Sequence, residues 1–108
     1  MDSELDRKFM ALADPTRRAI LAQLADGAKS VSELAEPFAM SQPAISKHLK
    51  LLEEAGLVAS GRDGQRRPRR LDPQGLAPAR DFIEQMASYW PDRFDRLAKF
   101  LDDEGKTA

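Results

Sequence analysis

The sequence predicts a mostly α-helical fold with one small β-hairpin. Apolar residues recur every three or four positions through most of the chain, which is the spacing of helices that bury one face. Capping residues and glycines mark where these apolar runs begin and end. Between residues 57 and 71 the pattern changes to two short runs around Asp63-Gly64, a strong signal for a hairpin turn. We expect the 108 residues to form a single domain.

Composition excludes several classes of protein. The chain has 42% hydrophobic and 32% charged residues, no Cys and one His. Disulfides, thiolate metal sites, cysteine nucleophiles and multi-histidine metal sites are therefore excluded. No apolar run approaches the roughly 18 residues of a membrane span, and the acidic start lacks the basic and apolar regions of a signal peptide. We expect a cytoplasmic protein that needs no cofactor.

Two helices are predicted before residue 27. The first is expected at residues 4–13. Asp14 then caps a second helix, in which Pro15 takes the first position, where its missing N–H costs nothing. The second helix ends at Asp26-Gly27. The apolar faces are formed by Leu5, Phe9 and Leu12 in the first helix and by Ile20, Leu21 and Leu24 in the second.

A short helix and a longer helix follow. Ser30 and Glu33 have the spacing of a capping box, which begins the short helix. Ser41 caps the longer helix, expected at about 41–55, and Gly56 ends it. One side of this helix is formed by Ile45, Leu49 and Leu52, and the opposite side by Pro43, Ser46, Lys47 and Lys50.

A hairpin at about 57–71 and a helical region at about 73–103 complete the chain. The return strand contains Pro68, which cannot donate to a ladder, so this strand is an edge or the proline faces outward. Pro91 should kink or split the last helical region. Two helices joined by a short connection and followed by a hairpin form a winged helix-turn-helix. The helix at 41–55 is then the recognition helix, and the hairpin is the wing.

Charge is segregated along the chain. The net charge is −2 over residues 1–40, +4 over residues 41–70 and −3 over residues 71–108, against −1 for the whole chain. A basic middle between acidic ends is the electrostatic footprint expected for a protein that binds nucleic acid. A solvated surface with chance clustering is the alternative interpretation.

The predicted recognition helix carries residue types that read a major groove. Glutamine can pair with adenine, lysine can donate to guanine or phosphate, and serine can contact either. The exposed helix N-terminus also offers backbone N–H groups to phosphate. An ordinary amphipathic surface helix is the alternative, but the preceding short helix and the following wing favour DNA. The candidate residues are Gln42, Ser46, Lys47 and Lys50.

The predicted wing is rich in arginine, a residue that suits phosphate and the narrow minor groove. A solubilising edge strand is the alternative. Because side chains alternate along a strand, only some of these arginines can face DNA. Arg62 and Arg66, which flank the turn, are the best candidates. The arginines are Arg62, Arg66, Arg67, Arg69 and Arg70.

An apolar stripe on the last helical region predicts a second copy of the chain as a partner. The stripe is longer than the first helix of the same chain can cover, and a ligand pocket at Tyr89, Trp90 and Phe94 is the alternative. Its members, spaced three and four residues apart, are Ile83, Met86, Trp90, Phe94, Leu97 and Leu101.

No catalytic constellation is present in the sequence. His48 lies on the flank of the recognition helix without a second His or a Cys, which favours a structural or phosphate-contact role. Glu53 and Glu54 are neighbours on a helix and point about 100° apart, so they are not an acid–base pair.

These motifs resemble the ArsR family of bacterial winged-helix repressors. The resemblance is carried by FMALADPTRRAILAQLADG, SVSELAEPFAMSQPAISKHLKLLEEAGLV and the arginine-rich wing, and it covers nearly all of the chain. It implies a homodimer built mainly from the first and last helices, with Leu5 and Phe9 in the interface. It also implies operator binding, on double-stranded DNA that we expect to be an inverted repeat. The recognition-helix positions that match are Ser41, Gln42, Pro43, Ser46, Lys47 and His48.

The chain departs from the metal sensors of this family. Those sensors use cysteines in the short helix, or His and carboxylates on the last helix. Here ELAEPFAM contains no Cys and the last helix contains no His, while Asp81, Glu84 and Asp92 would make a weak site for a transition metal. We therefore expect a non-metal-sensing branch, with an unidentified small-molecule effector left open. A metal sensor and a winged-helix protein-interaction module are the alternative functions.

Overall fold

The computed structural model describes residues 3–61, 67–89 and 91–107, and within these ranges it confirms a mostly helical fold with one antiparallel hairpin. Residues 62–66, where the sequence predicts the hairpin turn, and Trp90 lie outside the described residues. The elements are α1 (Glu4–Leu12), α2 (Pro15–Leu24), α3 (Val31–Ala35), α4 (Gln42–Glu54), β1 (Val58–Ser60), β2 (Arg69–Leu71), α5 (Pro73–Tyr89) and α6 (Pro91–Thr107).

The predicted helix caps are confirmed. The Asp14 carboxylate accepts the backbone N–H of Arg17 at 3.0 Å and begins α2. Ser30 and Glu33 form a complete capping box at the start of α3. The Ser41 hydroxyl accepts the backbone N–H of Ala44 at 3.3 Å and begins α4. These caps satisfy helix N–H groups that have no partner within the helix, so each helix start is fixed locally.

The core joins α2, α3, α4 and the start of the hairpin. The three apolar positions predicted for the buried side of α4 are all inaccessible to solvent, which fixes the rotation of this helix and leaves its polar side exposed. The largest side chains that are fully buried are Ile20, Leu34, Ile45, Leu49, Leu52 and Leu57.

The hairpin pairs Val58 with Leu71 and Ser60 with Arg69. Pro68 precedes β2, and its carbonyl accepts the N–H of Gly61 at 2.8 Å. Arg69 also has a second neighbour, because its N–H donates to the Lys29 carbonyl at 2.8 Å and its carbonyl accepts the Lys29 N–H at 2.9 Å. No pattern in the sequence predicts this bridge between the loop before α3 and the wing.

Helix α5 is described up to Tyr89 and α6 from Pro91, and because Trp90 lies outside the described residues, the choice between a kink and a split at Pro91 stays open. Helix α6 continues to Thr107, beyond the end expected at about Asp103. The molecule measures 66 × 29 × 28 Å along its principal axes. Among the residues that the structure describes, no helix is long and apolar enough to cross a membrane.

The C-terminal end of α4 is crowded by two other helices. Lys8 of α1 is only 6% exposed, and its ammonium donates to the Ala55 carbonyl at 2.7 Å. Gly56 follows with a φ of +77°, in the left-handed region that favours glycine. Gly75, in the first turn of α5, lies so close that an added Cβ would be 1.5 Å from the Gly56 carbonyl oxygen. The first turn of α5 can therefore pack at this point only without a side chain.

Replacing Gly75 with alanine should destabilise the protein, although alanine is normally the better helix former. The new methyl group would meet backbone rather than a flexible side chain, so α5 has to move, and we expect a loss of about 1–3 kcal/mol in the free energy of unfolding. Urea denaturation followed by circular dichroism measures it. Gln74→Ala, at the exposed neighbouring position, is the matched control and should change stability little. A Gly75→Ala variant as stable as the wild type would contradict this packing.

Candidate nucleic-acid interface

The exposed side of α4 brings six of the predicted site residues together. All six are exposed, and they begin at the helix cap and continue for two turns. We call this surface the α4 outer face. It consists of Ser41, Gln42, Pro43, Ser46, Lys47 and Lys50.

His48 is placed differently from the α4 outer face. Its side chain is 21% exposed and lies against the start of α2. Its Nδ1 atom is 3.4 Å from Arg17 Nη1 and 3.8 Å from Asp14 Oδ2. His48 therefore lies at the flank of α4 and in contact with α2, and its role at DNA stays a prediction.

Arg17 connects three helices at this flank. Its Nε atom donates to the Ala11 carbonyl at 2.7 Å and its Nη2 atom to the Met10 carbonyl at 3.1 Å. These carbonyls lie at the end of α1, where a cation interacts favourably with the helix dipole. Through His48 the same guanidinium reaches α4. Arg17 thus holds α1, α2 and α4 in a fixed relation on the side of α4 next to its outer face.

The pKa of Asp14 is lowered, first by the hydrogen bond from the backbone N–H of Arg17. Partial burial works in the opposite direction, and the positive charge of Arg17 lowers the pKa of Asp14 further, as does His48 when its ring is protonated. The charged form of the Asp14 carboxylate is thus stabilised in the folded protein, where it caps α2.

In the described part of the wing, one arginine is held within the protein. Arg69 Nε donates to Glu53 Oε1 at 2.7 Å, and the Arg69 side chain is 17% exposed. The Arg69 guanidinium also donates to the Arg67 carbonyl. The side chains of Arg67 and Arg70 are exposed. Arg62 and Arg66, the preferred candidates for DNA contact, lie outside the described residues.

The sequence did not reveal the ion pair between Glu53 and Arg69. In the sequence, Glu53 is simply a neighbour of Glu54, and Arg69 is one of several wing arginines. The alternation of side chains along the strand indicated that some arginines point away from DNA, but it gave no means of choosing Arg69.

Much of the predicted apolar stripe on α5 and α6 is uncovered. Phe82 meets Phe9 of α1 edge to ring, with centroids 5.6 Å apart, and Leu5 and Met86 are partly buried. The side chain of Phe94, like Trp90, lies outside what the structure describes. Among the described residues, the large apolar side chains on α5 and α6 that are at least 40% exposed are Phe82, Ile83, Tyr89, Leu97, Phe100 and Leu101.

Metal coordination finds no support in the described ranges. Among those residues, no group of three or more His, Cys, Asp and Glu side chains is arranged to hold a metal ion.

Comparison with known proteins agrees with this geometry. Residues 12–60 match a family model described as a helix-turn-helix domain. The chain is 44% identical over 100 residues to the HTH-type transcriptional regulator Rv2034 of Mycobacterium tuberculosis, covering 93% of this chain and 91% of the relative.

Two solved structures extend the similarity to the fold. The crystal structure of an ArsR family transcriptional regulator is 35% identical, with a TM-score of 0.74, over 82% of this chain and 97% of the other. A homodimeric winged helix-turn-helix DNA-binding domain from Mycobacterium bovis, described as a possible ArsR-family regulator, is 29% identical, with a TM-score of 0.64, over 79% of each chain.

The lowered pKa of Asp14 predicts acid-dependent stability. Because the pKa of Asp14 is lower in the folded state, its charged carboxylate stabilises the fold. This contribution to the free energy of unfolding is fully present above the pKa of the unfolded chain, about 3.8, and is lost as the pH falls through the pKa of the folded state. The advantage of the wild type over Asp14→Asn should therefore shrink below about pH 4. Denaturant titrations between pH 3 and pH 7 measure it.

Asp26→Asn is the matched control, because it removes the same charge just after the other end of α2. It reports the effect of net charge alone. A constant difference between wild type and Asp14→Asn over this pH range would show that the Asp14 charge does not stabilise the fold.

Proposed function

Because this chain belongs to the ArsR family of winged helix-turn-helix transcriptional regulators, we propose that it is a homodimeric repressor that binds an inverted-repeat operator in double-stranded DNA. The observation that carries the proposal is the α4 outer face, a polar and basic surface on a helix whose opposite side is locked in the core. A major groove admits one such helix.

In this proposal α4 reads the sequence. Gln42 lies at the exposed N-terminal end, and Ser46 and Lys47 lie one turn further along the same side. These side chains supply donors and acceptors for base edges, while Lys50 and the first backbone N–H groups of α4 suit phosphates. Ser41, Pro43 and His48 complete the proposed contact set.

The wing holds the DNA in this proposal. Its arginines reach phosphates or the minor groove, which carry little sequence information. Arg67 is exposed in the described part of the wing, and Arg62 and Arg66 flank the turn in the sequence.

The exposed apolar residues of α5 and α6 support the proposed dimer. A stripe with several large side chains at least half exposed is unfavourable in water and is typical of an interface. The M. bovis structure is of a homodimer. In the proposed dimer of this chain, the interface residues are Leu5, Phe9, Ile83, Met86, Trp90, Phe94, Leu97 and Leu101. A twofold dimer presents two α4 helices in opposite orientations, which requires an inverted repeat with half-site centres about 10 base pairs or a multiple apart.

We also propose that this regulator does not sense metals. The chain has no Cys and a single His, and the described residues contain no candidate metal cluster. An effector, if the protein has one, would then be a small molecule without a metal.

The proposed division of labour predicts different effects for α4 and the wing. Gln42→Ala should weaken binding to the operator by about 1–3 kcal/mol per contact and binding to scrambled DNA by less, because it removes a base contact. Arg66→Ala should weaken both duplexes alike and should flatten the slope of log affinity against log salt by about one unit per phosphate contact. Each effect occurs twice per dimer.

The operator for this experiment is obtained by selecting bound fragments from genomic DNA with the purified protein. Salt titrations of wild type, Gln42→Ala and Arg66→Ala on operator and scrambled duplexes then separate the two roles. Equal weakening of both duplexes by Gln42→Ala, with operator-only weakening by Arg66→Ala, would reverse the assignment.

Disrupting the apolar stripe should produce monomers and weaken operator binding together. Leu97→Ser/Leu101→Ser removes two side chains that are 52% and 59% exposed in the single chain. Burying a leucine contributes about 1.5–3 kcal/mol, and a twofold interface loses each residue twice. Sedimentation velocity at micromolar concentration measures the change, with Lys99→Ser as the control on another side of α6. A monomeric wild type would contradict the proposed dimer.

A further inference from the structure

We propose that Glu53 and Arg69 position the wing on the recognition helix α4, and that Arg69 is a positioning residue that does not itself contact DNA. This inference rests on the proposed DNA-binding function. The sequence predicts Arg69 as one of the DNA-binding arginines, and its contacts in the structure favour a positioning role instead.

One carboxylate oxygen of Glu53 holds both strands of the hairpin. Glu53 Oε1 accepts from Arg69 Nε at 2.7 Å and from the Ser60 hydroxyl at 2.8 Å. Ser60 and Arg69 are direct partners in the register of β1 and β2. The contact therefore attaches α4 to a single rung of the hairpin, from both of its strands.

In the sequence, this rung encloses residues 61–68, the segment that carries Arg62, Arg66 and Arg67. Beyond it, the structure describes one more hydrogen bond across the hairpin, from the Gly61 N–H to the Pro68 carbonyl. The backbone of Arg69 is at the same time bridged to Lys29 on its other side. Arg69 is thus held by three other parts of the chain, namely α4, β1 and the loop before α3.

Two of the five N–H donors of Arg69 are used within the protein, and its side chain is mostly buried. Its Nε is used by Glu53, and the guanidinium also donates to the Arg67 carbonyl. Its exposure of 17%, with 32% for Glu53, shields the pair from salt more than a fully exposed pair would be. The planar guanidinium keeps a fixed geometry when it is held in this way.

Glu53 occupies a position where a carboxylate is otherwise unfavourable for DNA binding. It lies seven residues after Ser46 and three after Lys50, so it continues the α4 outer face toward the end of the helix. A negative charge there should repel phosphates if its only effect were electrostatic. If Glu53 acts only through its charge, removing it should strengthen DNA binding. If Glu53 positions the wing, removing it should weaken DNA binding.

A double-mutant cycle tests the proposal on the duplex selected from genomic DNA by the wild-type protein. If the pair positions the wing, Glu53→Ala should bind the duplex roughly tenfold more weakly than wild type. Arg69→Ala should show a similar loss of affinity. Glu53→Ala/Arg69→Ala should be no weaker than either single variant, because both remove the same interaction. The slope of log affinity against log salt should stay at the wild-type value in Arg69→Ala.

Two control variants each remove one charge, of the same sign as that of Glu53 or Arg69, and leave the Glu53–Arg69 pair intact. Glu54→Ala deletes the exposed neighbouring carboxylate, and Arg70→Ala deletes the exposed arginine on the opposite face of β2. They measure how much a charge of each sign contributes to affinity. Thermal melting shows that each variant is folded at the assay temperature.

Glu53→Gln, which keeps an oxygen for Arg69 and Ser60, replaces Glu53→Ala if the alanine variant unfolds. It should then bind more tightly than Arg69→Ala but less tightly than wild type.

The inference is overturned if Glu53→Ala, or Glu53→Gln in its place, binds the duplex as tightly as or more tightly than wild type. It is also overturned if the effects of Glu53→Ala and Arg69→Ala are additive and Arg69→Ala flattens the salt slope. A wild-type protein that retains no duplex at all contradicts the proposed function itself, so the two failures are distinguishable.

Discussion

The end of α4 determines how the other elements are arranged, because three successive backbone carbonyls there each meet a different part of the chain. The Ala55 carbonyl accepts the ammonium of Lys8, the Gly56 carbonyl lies against Gly75, and the Leu57 carbonyl accepts the N–H of Asp72 at 2.9 Å. A lysine that is 6% exposed is costly to bury unless its charge is hydrogen-bonded, so α1 is held where this carbonyl lies. Helices α1 and α5 are thereby joined to the helix proposed to read DNA.

Features that depend on neighbouring residues could be predicted from the sequence. The caps at Asp14, Ser30 and Ser41 and the terminal Gly56 appear as expected, because each needs only a short side chain or a left-handed residue within three or four positions of the helix end. The buried side of α4 follows equally from its 3.6-residue period. Pro91 predicted an interruption, but the proline alone could not distinguish a kink from a break, since that depends on how the flanking helices pack.

Features that depend on distant partners could not be predicted. Lys8 bonds to a residue 47 positions away, and in sequence it is an ordinary lysine of an amphipathic helix. Arg69 and Glu53 are 16 positions apart, and Lys29 belongs to a loop with no strand-like pattern. For the candidate site, the sequence therefore predicts which side chains lie on the exposed side of α4. The sequence could not show which basic residues of the wing form ion pairs within the protein. Composition gives the number of charges but not their partners.

These contacts have a consequence for how the proposed dimer would read DNA. Lys8, Gly75 and Glu53 attach α1, α5 and the wing to α4 through hydrogen bonds and direct backbone packing, so these elements should move together with it. The contacts made by α5 and α6 would then set the separation of the two α4 helices, which has to match half-sites about one helical turn of DNA apart. Interiors packed this closely do not deform continuously, so a shift at the proposed dimer interface would be passed on to α4. In such an assembly, affinity for an operator depends on interface residues that lie far from the DNA, and sequence preference cannot be separated from dimer geometry.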